Sequence, residues 1–156
     1  MTHKLKFYTQ YHQFYLIDKD SPSDTGSDNF WSPEAYNCRL AIKDGVLGIG
    51  TGCYGNVKAE LEILDNANDK FDSSKYDHIV EGGLELTSGV LQVTDCPNSK
   101  VELELNVVPG KYQVRVYSSN LDTVYIDDEN GDDYYRIEIW PDDNMERKVL
   151  KVYNQS

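Results

Sequence analysis

Val57-Lys58-Ala59-Glu60-Leu61-Glu62-Ile63 places an apolar residue at every odd position and a charged residue at every even one. Successive side chains of an extended chain point to opposite faces, so this run specifies a strand with one apolar and one polar face. Val101-Glu102-Leu103-Glu104-Leu105-Asn106-Val107 repeats the pattern. After the turn Pro109-Gly110, Tyr112-Gln113-Val114-Arg115-Val116-Tyr117 is its expected hairpin partner. Residues 84–86, 89–93, 135–140 and 148–153 read as further short strands, and residues 45–49 follow the turn signal Lys43-Asp44-Gly45. The stretch from 5 to 17, rich in Tyr and Phe, predicts one long first strand. Helix is scarce. Ser32-Pro33-Glu34-Ala35 offers a cap and a proline at the first helical position, which predicts a short helix ending near Cys38. The pattern predicts an all-β chain: two antiparallel sheets packed face to face as a β-sandwich, with at most one or two short helices.

At 156 residues the chain is expected to be a single β-sandwich domain spanning 1–156, large enough to bury a core without disulfide or metal staples. Cys38, Cys53 and Cys96 are odd in number and widely spaced, so they form no C-x-x-C motif and are expected to be reduced and structural. The first residues, MTHKLKFYTQYHQF, show no apolar export segment, and no apolar run approaches the ~18 residues of a spanning helix. The expected location is cytoplasmic.

Acid is placed unevenly. Between 122 and 143 lie Asp122, Asp127, Asp128, Glu129, Asp132, Asp133, Glu138, Asp142 and Asp143, opposed by Arg136 alone. The formal net charge of -12 exceeds the magnitude of ~2–8 that solubility asks of a small domain. Such a field repels nucleic acid and anionic membranes and attracts basic proteins and divalent cations. The expected partner is a basic protein, with no nucleic acid and no membrane.

Gly50-Thr51-Gly52-Cys53-Tyr54-Gly55 is a literal G-x-G-x-x-G. Dinucleotide binding needs a helix to start there, because the helix N-terminus holds the pyrophosphate. The strand pattern of 57–63 follows instead, so the glycines mark a loop or a bulged strand. Asp127-Asp128-Glu129-Asn130-Gly131-Asp132-Asp133 has carboxylates enough for calcium, but its spacing matches no EF-hand loop. It reads as a solvated hairpin loop, with no metal expected. His3, His12 and His78 fall in no H-x-H or H-E-x-x-H spacing, and G-x-S-x-G is absent. No catalytic residue and no cofactor is implied, and the chain is expected not to be an enzyme.

Tyr11-His12-Gln13-Phe14, Trp31 with Glu34-Ala35, Asp44-Gly45-Val46 and Pro109-Gly110-Lys111-Tyr112-Gln113 together resemble the competence protein J family, with matches scattered over residues 8–140. The resemblance implies a small, acidic, intracellular, non-enzymatic protein that binds and silences a DNA-entry nuclease. It transfers no catalytic motif and no inhibitory residue. The acidic run at 127–133 and the strand at 148–153 depart from the family, and they fit a related inhibitor of a different target, such as an immunity protein of a toxin pair.

The expected function is therefore a cytoplasmic inhibitor or immunity protein that neutralises a basic nuclease. Asp127, Asp128, Glu129, Asp132 and Asp133 would supply charge pairing, with Tyr134 and Trp31 as aromatic anchors. The alternative is a calcium-dependent β-sandwich module that binds carbohydrate or lipid.

Overall fold

The computed structural model describes residues 2–21, 30–124 and 129–153. The run at 57–63 lies in strand β5 (Asn56–Ile63), with Val57, Ala59 and Leu61 buried on one face and Lys58, Glu60 and Glu62 on the other. Before it come β1 (Thr2–Tyr8), β2 (Gln13–Asp18), helix α1 (Pro33–Cys38), β3 (Leu40–Lys43) and β4 (Val46–Gly50). After it come β6 (His78–Leu86), β7 (Val90–Thr94), β8 (Val101–Asn106), β9 (Gly110–Ser119), β10 (Tyr134–Pro141) and β11 (Lys148–Lys151). They form a large sheet ordered β1-β5-β10-β9-β6-β11 and a small one ordered β3-β4-β2-β7-β8. The fold is an all-β, two-sheet sandwich. The small sheet is antiparallel throughout, whereas β5 and β10 pair in parallel and make the large sheet mixed.

Two expected pairings differ. The single strand over 5–17 is broken at Tyr11 and His12, both left-handed with φ of 61° and 58°, so β1 joins the large sheet and β2 the small one. The expected hairpin of 101–107 with 112–117 does not form. β8 pairs with β7, Pro109-Gly110 leads into the other sheet, and β9 lies between β6 and β10. The helix matches its signals. The Ser32 hydroxyl accepts the Ala35 N–H at 3.2 Å, Pro33 opens the first turn, and Arg39 ends it in the left-handed region at φ 59°.

The main core lies between the sheets, where Leu5, Phe7, Leu61 and Ile137 of the large sheet meet Phe14, Leu16, Leu47 and Val93 of the small one. Each such side chain contributes ~1.5–3 kcal/mol when fully buried. A second apolar cluster covers the outer face of the small sheet, where Phe30 and Ala35 pack with Tyr15, Ala41 and Val46. Gly48 is required there: a Cβ would come within 2.8 Å of the Trp31 ring and 2.9 Å of Phe30.

The outer face of the large sheet is polar but not simply solvated. Arg136 reaches Glu60 at 2.5 Å, Glu62 at 2.7 Å and Glu138 at 2.9 Å. Arg115 binds Glu81 at 2.7 Å and lies between the rings of Phe71 and Trp140, 4.6 and 4.9 Å from their centres. The segment between β5 and β6 crosses this face, with Asn68 donating to Glu138 and Phe71 packing on Tyr117. Glu138 is 1% exposed and Arg115 5%, and the charges are tolerated because each is paired.

Candidate interaction surface

One end of the sandwich gathers the turn between β1 and β2, the end of α1, the loop between β4 and β5, and residues 120–124 and 129–133 ahead of β10. Backbone bonds join them: Thr9 donates to Gly55, Thr51 to His12, Gly50 to Arg39, and Asn56 to Glu129. The Asn56 side chain also bonds Glu129 O and Asn130, and Lys58 bonds Gly131 O at 2.8 Å. Gly55 permits this contact, since a Cβ there would meet Glu129 O at 2.8 Å. The G-x-G-x-x-G is thus a loop supporting the acidic segment, and a strand follows it.

Of the expected contact residues, Asp127 and Asp128 lie outside the described residues. Glu129 and Asp132 are exposed on the rim, and Glu129 accepts the Tyr8 hydroxyl at 3.2 Å. Asp133 departs from the expectation of a surface charge. It is 2% exposed, and its carboxylate turns inward to accept the Tyr135 hydroxyl at 2.5 Å and the Cys53 N–H at 3.1 Å. Burial, with the Asp133 charge next, holds the Tyr135 phenol well above its ordinary pKa, so it remains a donor.

The two expected anchors sit on opposite sides of the sandwich. Tyr134 is half-buried on the outer face of the large sheet and donates to Glu60 at 3.0 Å, with Lys4 5.9 Å from its ring centre. Burial and then Glu60 raise its phenol pKa. Trp31 is half-buried on the outer face of the small sheet, between Phe30 at 5.8 Å and Tyr36 at 5.3 Å. Its indole N–H has no acceptor among the described residues.

A cleft that the sequence did not single out opens beside the acidic rim. It encloses about 490 Å³ and is lined by Tyr11, His12, Tyr36, Arg39, Tyr54 and Tyr153, with Leu121 and Val124 as apolar neighbours. A smaller hollow of about 140 Å³ shares Tyr11, His12, Tyr36 and Arg39 and reaches Trp31. Tyr11 is 57% exposed and Tyr36 65%. Tyr11, His12 and Arg39 all hold left-handed backbone at non-glycine positions. Strain of this kind costs ~1–3 kcal/mol per residue and collects at sites that work. Nothing local in Tyr-His advertises a left-handed pair, so the sequence hid this feature. At the other end of the sandwich, a wider apolar hollow of about 860 Å³ runs between Ile63, Leu105, Val107 and Tyr112. Among the described residues, no group of three or more His, Cys, Asp or Glu gathers as for a metal ion.

No protein-family model matches the chain, and no curated protein matches it in sequence. Among solved structures, the chain is similar to ComJ, inhibitor of the DNA degrading activity of NucA, from Bacillus subtilis. The TM-score is 0.68 at 18% identity, over 90% of this chain and 96% of that one. It is also similar to the crocagin biosynthetic gene J product, with a TM-score of 0.55 at 15% identity, over 91% of this chain and 99% of that one. The chain has a ComJ-like fold.

Proposed function

We propose that this protein is an acidic cytoplasmic inhibitor or immunity protein that binds a nuclease and blocks it without chemistry of its own. The observation that carries the reading is the exposed acid of Glu129 and Asp132 at the rim of a loop end hydrogen-bonded to β5, on a fold like that of a nuclease inhibitor. A nuclease must hold polyphosphate and therefore presents Lys and Arg clusters. A fixed row of carboxylates substitutes for phosphates in such a cleft, and nearby tyrosines supply rigid, desolvated contact area. Asp127 and Asp128 belong to the same row by sequence. Asp133 does not, because its carboxylate is spent inside the fold.

The first test is functional. Purified protein is added to nuclease fractions of the source cell, with DNA and RNA substrates assayed separately. A nuclease activity that is titrated away at stoichiometric protein supports the reading, and its absence in every fraction rejects it. Against that target, D127N/D128N/D132N is expected to slow association about tenfold at low salt and to flatten its salt dependence. The thermal midpoint should not fall, because the variant removes only acidic charges from a chain of net charge -12. Unaltered kinetics would remove this rim from the interface.

A further inference from the structure

Arg39, Arg115, Arg136 and Arg147 are the arginines of a chain that carries 27 acidic residues. Arg115, Arg136 and Arg147 each form ion pairs with carboxylates. Arg39 pairs with no carboxylate and donates no side-chain hydrogen bond among the described residues, although it is half-buried. Its guanidinium lies 5.5 Å from the centre of the Tyr153 ring, in the cleft bounded by Tyr11, His12, Tyr36 and Tyr54. Its backbone is left-handed at φ 59°, with its N–H capping the last turn of α1. The side chain is thus held in place by both its backbone and a stacked ring, with its polar edge unspent.

We infer that this cleft binds a small organic anion: a planar ring bearing a single carboxylate or phosphate, with the anion on Arg39 and the ring among the tyrosines. A guanidinium presents a planar fork of donors that matches the oxygens of either group. A volume of about 490 Å³ falls within the ~300–1,000 Å³ of small-molecule sites. Tyr11 and Tyr54 meet edge-on at 6.2 Å, and His12 and Tyr54 at 5.2 Å, which leaves ring faces for an aromatic guest. The overall charge of -12 repels bare anions at a distance. Burial of a ring must therefore add to the ion pair, which selects phenyl phosphate over inorganic phosphate. The inference is independent of the nuclease reading, because it concerns a ligand that needs no protein partner.

The test is a titration of the isolated protein with benzoate, phenyl phosphate, inorganic phosphate and benzylamine, followed by amide and ring chemical shifts. Saturable shifts centred on Tyr11, His12 and Arg39 are expected with benzoate or phenyl phosphate, and the stronger of the two identifies the anion. Inorganic phosphate should bind at least about tenfold more weakly, and benzylamine not at all. Arg39→Asn keeps a residue that tolerates left-handed backbone and removes the charge; it should weaken binding at least about tenfold. Arg39→Lys should fall between Asn and the parent, because it keeps the charge and loses the fork. Tyr36→Ala, at an exposed position, should weaken phenyl phosphate and leave inorganic phosphate unchanged. Absence of saturable shifts, equal binding by Arg39→Asn, or equal binding of benzylamine would each overturn the assignment.

Discussion

The Asp133 carboxylate accepts the Tyr135 hydroxyl and the Cys53 amide in a space closed to water, while Asp132 projects into solvent one residue earlier. Asp133→Asn would turn its oxygen to those donors and leave its own NH₂ beside the position of Oδ1, which has no partner among the described residues. A buried unpaired donor and a lost charge-assisted bond should cost about 2–3 kcal/mol. Asp132→Asn should stay within about 0.5 kcal/mol of the parent. Urea unfolding of the two variants decides the point, and equal midpoints would remove Asp133 from the interior network. The two residues are the same letter in the same acidic run. Only tertiary packing separates a contact charge from a structural one.

His78 opens β6 and joins three elements. Its Nε2 donates to the Cys38 carbonyl at the end of α1 at 2.8 Å, and its Nδ1 accepts the Tyr153 N–H just beyond β11 at 3.1 Å. Only the neutral ring protonated on Nε2 serves both bonds. Burial, opposed by the Cys38 carbonyl and aided by the Arg39 charge, lowers the His78 pKa. The unfolded chain therefore takes up a proton before the folded one does, so this group costs stability as pH falls through about 6.5 and contributes nothing above. His78→Gln should flatten the acid side of the stability profile measured by urea melts, whatever its stability at neutral pH. An identical slope in both proteins would refute the link. Elements themselves were well marked in the sequence: the alternation of β5, the cap of Ser32 and the Pro33 start of α1 are local signals that the structure realises. Partners were not. Alternation says which face of a strand is apolar but not which strand lies beside it, so the parallel β5–β10 pairing and the β7–β8 hairpin stayed hidden. The candidate surface was legible as acid at Glu129 and Asp132, whereas the cleft depends on left-handed Tyr11, His12 and Arg39, which their residue types do not announce.

Across the whole molecule, a charge of -12 sets self-repulsion against the ion pairs gathered around Arg115 and Arg136. The Arg115 pairs are buried and those of Arg136 half-buried, so they respond less to salt than the fully exposed acids do. Raising salt from about 0.01 M to about 0.15 M shortens the screening length from ~30 Å to ~8 Å. The thermal midpoint should rise by about 3 °C, equivalent to ~1 kcal/mol for a chain of this size. A fall would mean that ion pairing outweighs repulsion over the surface as a whole. The large sheet is bounded by β1 on one side and β11 on the other, and its pairing pattern makes these two strands run in the same direction. Tension applied through Thr2 and Tyr153 therefore drags each outer strand lengthwise against its neighbour. The rungs load together and do not peel one after another. β1 is held along seven residue pairs and β11 along three, so β11 slips first. A pull on that end would strip Tyr153 from beneath Arg39, and the cleft would come apart mechanically while the rest of the sheet still held.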